Sequence, residues 1–193
     1  MLEEILKNIA YSYYPKGKCA ITEKEYYVAS IEYKNLSDTL SDLQTNSNFE
    51  KTYNLLVSEF KKNEKINNIK DVSLLDWQDR CLSFELDIFD GDRLIKICLN
   101  ISLLIPYYAI YALNNKIQEE PYRWITAPQR DNLSESEVNE EINLISLITK
   151  RITKFCLFPE YLAKTVIQDL SFGEVELGNF TFYNAFFLDI NRL

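Results

Sequence analysis

An α+β fold, in which an antiparallel sheet built from two β-hairpins (about 81–105 and 173–187) packs with about five helices, follows from three features of the sequence. Residues 82–88 alternate apolar and polar and run into Asp90-Gly91. A second alternation, Val175 and Leu177 answered by Phe180 and Phe182, flanks Gly178-Asn179. The segments before and between carry apolar residues at spacings of three and four.

In the first hairpin Leu82, Phe84, Leu86 and Ile88 share one face, while Ser83, Glu85 and Asp87 share the other. Asp-Gly suits the two positive-φ positions of a two-residue turn. That turn sets Leu86 opposite Ile95, Phe84 opposite Ile97 and Leu82 opposite Leu99, with Glu85 facing Lys96 as a cross-strand ion pair. Cys98 then faces Ser83 and lies only diagonally from Cys81, too far for a bond between them. Cys19, Cys81, Cys98 and Cys156 show no CxxC spacing and are expected to be free thiols.

Upstream, Leu2 to Tyr14 predicts a helix with Leu2, Ile5, Leu6, Ile9 and Tyr13 on one side, closed by Pro15 and Gly17. Thr22-Glu-Lys-Glu25 has the form of a capping box, and a helical stripe follows from Tyr26 to Leu43. The Ser, Asp and Thr residues from Ser37 to Asp42 predict a break near Asn35. A third helix starts near Asn48, runs to Phe60 and gives way to an Asn-rich segment ending at Lys70. Downstream, residues 105–113 admit a strand bending at Pro106 or a buried helical turn, and the proline favours the strand. Asn114 to Asn132 predicts a connection. Ser134-Glu-Ser-Glu137 is a capping box before the stripe Val138, Ile142, Ile145, Ile148, Ile152 and Phe155, and Pro159 opens a short helix to about Val166.

The chain has 193 residues, 47% of them hydrophobic and 26% charged, without a linker-like tract, which predicts a single globular domain spanning residues 1–193. Its net charge of −8 is spread along the chain. That charge opposes phosphate backbones and anionic lipid, so a basic protein is the expected partner, with no nucleic acid and no membrane. The N-terminus lacks a signal-peptide pattern, and the longest apolar run, residues 101–113, falls short of the roughly 20 residues a membrane helix needs. The expected localisation is cytoplasmic.

Histidine is absent, which removes Ser/His and Cys/His nucleophilic pairs and the commonest transition-metal ligand. Four isolated glycines build no phosphate-cradling loop. No cofactor is expected, and the chain is read as no enzyme. What remains is carboxylates and lysine. Glu85, Asp87, Asp90, Asp92 and Lys96 gather around the first hairpin, where two carboxylates and a lysine could serve a metal-dependent hydrolase, although a solvated ion pair and a polar turn explain the same residues. Glu135, Glu137, Glu140 and Glu141 form a second acidic cluster, favoured in a first helical turn by the macrodipole. These eight acids are the candidate partner-binding residues. With 13 Tyr, 11 Phe and 2 Trp, the chain also has aromatic side chains suited to a protein interface.

The ending Gly178-Asn-Phe-Thr-Phe-Tyr-Asn-Ala-Phe-Phe-Leu-Asp189, in a small acidic chain without catalytic motifs, resembles the bacterial immunity proteins that neutralise polymorphic or contact-dependent toxins. No active residue carries over from that resemblance. It implies a non-catalytic protein that covers the active site of a cognate basic toxin, a nuclease being one candidate. The alternatives are the hydrolase using Glu85, Asp87 and Lys96, and a subunit or adaptor of a larger assembly.

Overall fold

Strand-forming alternation and helical stripes do sort into a sheet and flanking helices, but with different bounds and pairings at several places. The computed structural model describes residues 1–75, 79–90, 93–114 and 135–188. Four helices come first: α1 (Leu2–Ala10), α2 (Lys24–Ala29), α3 (Ile31–Gln44) and α4 (Ser47–Lys61). Strands β1 (Ile66–Asp71), β2 (Cys81–Asp90), β3 (Arg93–Ser102) and β4 (Tyr107–Asn114) follow. The chain continues through α5 (Glu135–Thr153), β5 (Cys156–Leu157), α6 (Glu160–Ala163) and α7 (Phe182–Phe186).

The sheet runs in the order β1-β2-β3-β4-β5, antiparallel except for the parallel pair β4 with β5. It is therefore not a pair of hairpins. The apolar positions of the first hairpin share a face as expected, but the register is displaced by two residues. Leu86 lies opposite Ile97, Phe84 opposite Leu99, Leu82 opposite Ile101, and Asp90 opposite Arg93. A two-residue displacement keeps every side chain on its own face, so hydrophobic alternation cannot distinguish the two registers. Only the turn separates the two registers, and Gly91 lies outside the described residues. Cys98 now faces Glu85, and Ser83 faces Asn100. All four cysteines are free.

Residues 66–71, read as an Asn-rich connection, pair with β2 as its outer neighbour. An irregularity between Ile66 and Asn68 breaks their alternation and hides the strand. Tyr107–Asn114 is a strand, as the proline suggested, but it reverses against β3 rather than extending it. The stripe from Tyr26 to Leu43 divides at Ser30 instead of Asn35. The Ser30 hydroxyl accepts the Tyr33 N–H (3.2 Å) and caps α3, while burial of Leu36 and Leu40 carries the helix through its weak Ser/Asp/Thr run. Thr22 caps no helix, because α2 starts at Lys24 behind Glu23. The Glu23 carboxylate instead takes the Cys19 N–H (3.1 Å) and the Lys18 ammonium (2.9 Å). In α1 the buried positions are Leu6 and Ala10, followed by Tyr14, while Ile5 faces solvent.

The expected second hairpin is overturned. Phe180 and Phe182 pair with residues 165–167, through Ile167 N–H to Phe180 O (2.7 Å) and Phe182 N–H to Thr165 O (3.1 Å). Gly178, at φ 82°, donates to Gln168 O (3.1 Å). Helix α7 begins there because Thr181 and Asn184 form a reciprocal capping box: Asn184 N–H to Thr181 Oγ1 (3.2 Å) and Thr181 N–H to Asn184 Oδ1 (2.9 Å). All five residues of α7 are buried, so its pattern carries no helical period.

The two sheet faces meet different layers. On one face Leu82, Phe84, Leu86, Ile88, Ile95, Ile97, Leu99, Ile101 and Tyr108 pack against Leu56 and Phe60 of α4 and Ile145 of α5. Ile142, Ile148 and Ile152 of the predicted α5 stripe lie along the same cluster. The other face meets a second core, in which Leu6, Ala10, Tyr14, Leu36 and Leu40 of the N-terminal helices surround Phe180, Phe182, Phe186 and Phe187, with Cys81 at the sheet's end. The Tyr14 hydroxyl reaches into α7 to donate to Ala185 O (2.7 Å). Seven helices are present among the described residues, against the five expected.

Candidate functional site: a polar sheet face

On the second face the side chains are polar, because the alternation that sends Leu and Ile to one side sends Ser83, Glu85 and Asp87 of β2 to the other. Lys96, Cys98 and Asn100 of β3 join them, with Asn68 and Lys70 of β1 opposite Asp87 and Glu85, and Tyr111 of β4 opposite Cys98. One end of this face is sealed. Tyr183 of α7 covers Asn100, whose Nδ2 donates to the Tyr183 hydroxyl at 2.6 Å, and both are buried. Toward the other end the face opens, with the Glu85 and Lys96 side chains 23% and 24% exposed.

Lys96 Nζ donates to Glu85 Oε2 at 2.9 Å. The pair is diagonal, since Lys96 stands opposite Asp87, and the lysine's length makes the reach. Burial draws the Lys96 pKa down, but the hydrogen bond and charge of Glu85, with the charge of Asp87, outweigh it and the net shift is upward. Asn68 Nδ2 donates to Asp87 Oδ2 (3.0 Å), while Asp87 Oδ1 is out of solvent with no hydrogen-bond partner among the described residues. Burial pushes the Cys98 thiol up to about 12, and the Glu85 charge adds to the shift. Tyr111, whose hydroxyl borders Cys98, Asn100 and Tyr183, is raised chiefly by burial, as is Tyr183. The sealed end is thus a neutral hydrogen-bonding layer, and the charge sits at the open end.

Of the eight candidate acids, the structure brings Glu85 and Asp87 together on this face. Glu140 and Glu141 lie on α5, which packs on the opposite face, so the two acidic groups form no continuous surface. Glu140 is exposed, whereas Glu141 is 8% exposed and held by Lys65 (Nζ to Oε1, 2.6 Å). Asp92 and the side chains of Asp90, Glu135 and Glu137 lie outside the described residues, as do the Ser134 capping box and the connection from residue 115. Sequence reasoning missed Asn68, Asn100 and Tyr183, and did not place Lys70 or Tyr111 on this face. Asn68 and Lys70 went with the unrecognised β1, and the others acquire meaning only through pairing across the sheet and with α7. Among the described residues no three Cys, Asp or Glu side chains converge as a metal site, and no helix is long and apolar enough to cross a membrane.

Thiol reactivity tests this layering. Burial raises Cys81 and Cys98 to about 12, so at pH 8 their thiolate fraction is about one in ten thousand. Cys19 is lowered by hydrogen bonds from the Thr22 side chain and from the Thr22 and Ile21 backbone, and Cys156 is exposed. Iodoacetamide at pH 8, followed by mass spectrometry, is expected to modify Cys19 and Cys156 rapidly, and Cys81 and Cys98 only after unfolding. Rapid native labelling of Cys98 would mean that the sealed end of the face is open.

No family model matches the chain, and no curated protein or solved structure matches it significantly.

Proposed function

We propose that the chain is a non-catalytic binding protein that neutralises a cognate basic protein, in the manner of a bacterial immunity protein, by covering that protein's active site with the polar sheet face that carries Glu85 and Asp87. The observation carrying this reading is that Glu85 and Asp87 stand two residues apart on one face of β2, both partly exposed at the open end of the polar face. A lysine or arginine from the partner would pair with the exposed parts of these carboxylates. The net charge of −8 would speed the encounter.

The test is recovery of the partner on the tagged chain at moderate salt, then kinetics with the purified pair. Glu85→Gln with Asp87→Asn is expected to slow association about tenfold and to flatten its dependence on salt. A wild-type association rate indifferent to salt removes the electrostatic contact. A second reading is favoured by Lys96, which stands on the same face with Nζ 2.9 Å from Glu85 Oε2: a metal-dependent hydrolase using Glu85, Asp87 and Lys96. Hydrolysis that depends on magnesium or manganese and is lost on alanine replacement of these three would establish it. Hydrolysis unchanged by those replacements would remove it.

A further inference from the structure

A groove of about 520 Å3 runs between α5 and the edge strand β5, at the opposite side of the sheet from β1 and clear of the Glu85–Asp87 face. Its walls are Leu147 of α5 and Leu157 of β5, which are 67% and 51% exposed. Tyr108 forms its floor, with the hydroxyl held by Ser146 (2.6 Å), and Asn143, Lys150 and Cys156 complete the lining. Single exposed leucines are ordinary, but two lining one groove beside a sheet edge form a pattern.

The ladder joining β5 to β4 uses Cys156 N–H to Pro106 O (3.1 Å) and Phe158 N–H to Tyr108 O (2.8 Å). Alternate residues of a strand turn their peptide groups to opposite sides, so the N–H and C=O of Leu157 point away from the sheet. The Lys150 side chain is exposed and forms no ion pair among the described residues. Among the described residues, three unmet requirements therefore lie side by side: an aliphatic slot, an outward peptide edge and a cation.

We propose that this groove receives an extended peptide segment of a partner protein, which adds to β5 as a further strand. It seats an aliphatic side chain between Leu147 and Leu157 and sets a carboxylate against Lys150. Strand addition supplies backbone hydrogen bonds, and the flanking pockets supply selectivity. A helix satisfies its own backbone and would leave the Leu157 peptide without a partner. A free amphiphilic acid would meet the slot and the cation but not the edge.

The test is selection of peptides from a displayed random library on the full chain, with the contact mapped by amide chemical shifts. Enriched peptides are expected to combine an aliphatic residue with Asp or Glu and to shift the amides of Leu147, Lys150 and Leu157. Their affinity is expected to fall tenfold or more in Leu147→Asp and in Lys150→Glu, and to be kept in Lys150→Arg. Both disruptive changes are at exposed positions, and an unchanged unfolding midpoint verifies the fold. The proposal is overturned if no sequence is enriched, if affinity survives both substitutions, if the shifts map elsewhere, or if octanoate binds as tightly as the peptides.

Discussion

Arg80→Ala is expected to lower the free energy of unfolding by about 3–5 kcal/mol, the loss expected when a large buried side chain and the hydrogen bonds it donates are removed together. Arg80 is 2% exposed, immediately before β2. Its Nε and Nη2 both donate to the Asn184 carbonyl oxygen, at 3.1 and 2.8 Å, and its guanidinium lies 4.6 Å from the centre of the Phe172 ring. Its backbone joins the same junction: the N–H donates to Phe187 O (3.3 Å), and the C=O accepts the Leu103 N–H (2.8 Å). One side chain thus ties the sheet to α7. Alanine would leave the Asn184 carbonyl in the interior without these donors and a void beside Phe172. Arg80→Lys keeps the charge but loses the planar fork, so an intermediate loss is expected. Urea unfolding of the three proteins checks this, and a loss below about 1 kcal/mol for alanine would mean that the junction is not a buried one.

The sheet was legible in the sequence where one face is apolar and the other is not. Leu82, Phe84, Leu86 and Ile88 announced β2, and their partners on β3 were the right residues displaced by two. That displacement is beyond what alternation can resolve, because parity is preserved and only turn geometry separates the two pairings. Strand β1 was illegible because Asn67, Asn68 and Lys70 supply no apolar alternation and an irregularity interrupts what remains. Its pairing is stabilised from the β2 side, where the apolar partners already exist. The charged residues Glu85, Asp87 and Lys96 and the Glu85–Lys96 ion pair were therefore visible, while the Asn68 that orients Asp87 was hidden in a strand that did not look like one.

The C-terminal segment failed for the opposite reason. Thr181, Phe182, Tyr183, Asn184, Ala185, Phe186 and Phe187 are all buried, so no apolar period marks a face. Phe180 and Phe182, two apart, suggested a strand, whereas the deciding residues were Thr181 and Asn184, whose mutual hydrogen bonds start a helix. The box lacks the usual Glu or Gln at its third helical position, and Asn takes that role at close range. The resemblance to immunity proteins was drawn from this same segment, which the fold makes an interior element. Its aromatic residues are occupied with Tyr14, Phe158, Phe172 and one another, and the surface available to a partner lies elsewhere.

Phe84→Ala is expected to cost about 3–5 kcal/mol, as does deletion of a large aromatic side chain from a core that closes only partly around the gap. Phe84 is 1% exposed on β2, opposite Leu99, and lies under α4 with ring centres 5.6 Å from Tyr53 and 6.3 Å from Phe60. This cluster is the one by which the helical layer holds the sheet, so the loss should fall on both at once. Phe84→Leu fills most of the space and is expected to cost much less. The observed contacts make a sharper claim: Phe60→Ala and Phe84→Ala share one cavity, so the double variant should lose less than the two single losses added together. The expected coupling is about 0.5–1.5 kcal/mol beyond simple addition of areas. Additive losses would show that α4 does not rest on Phe84.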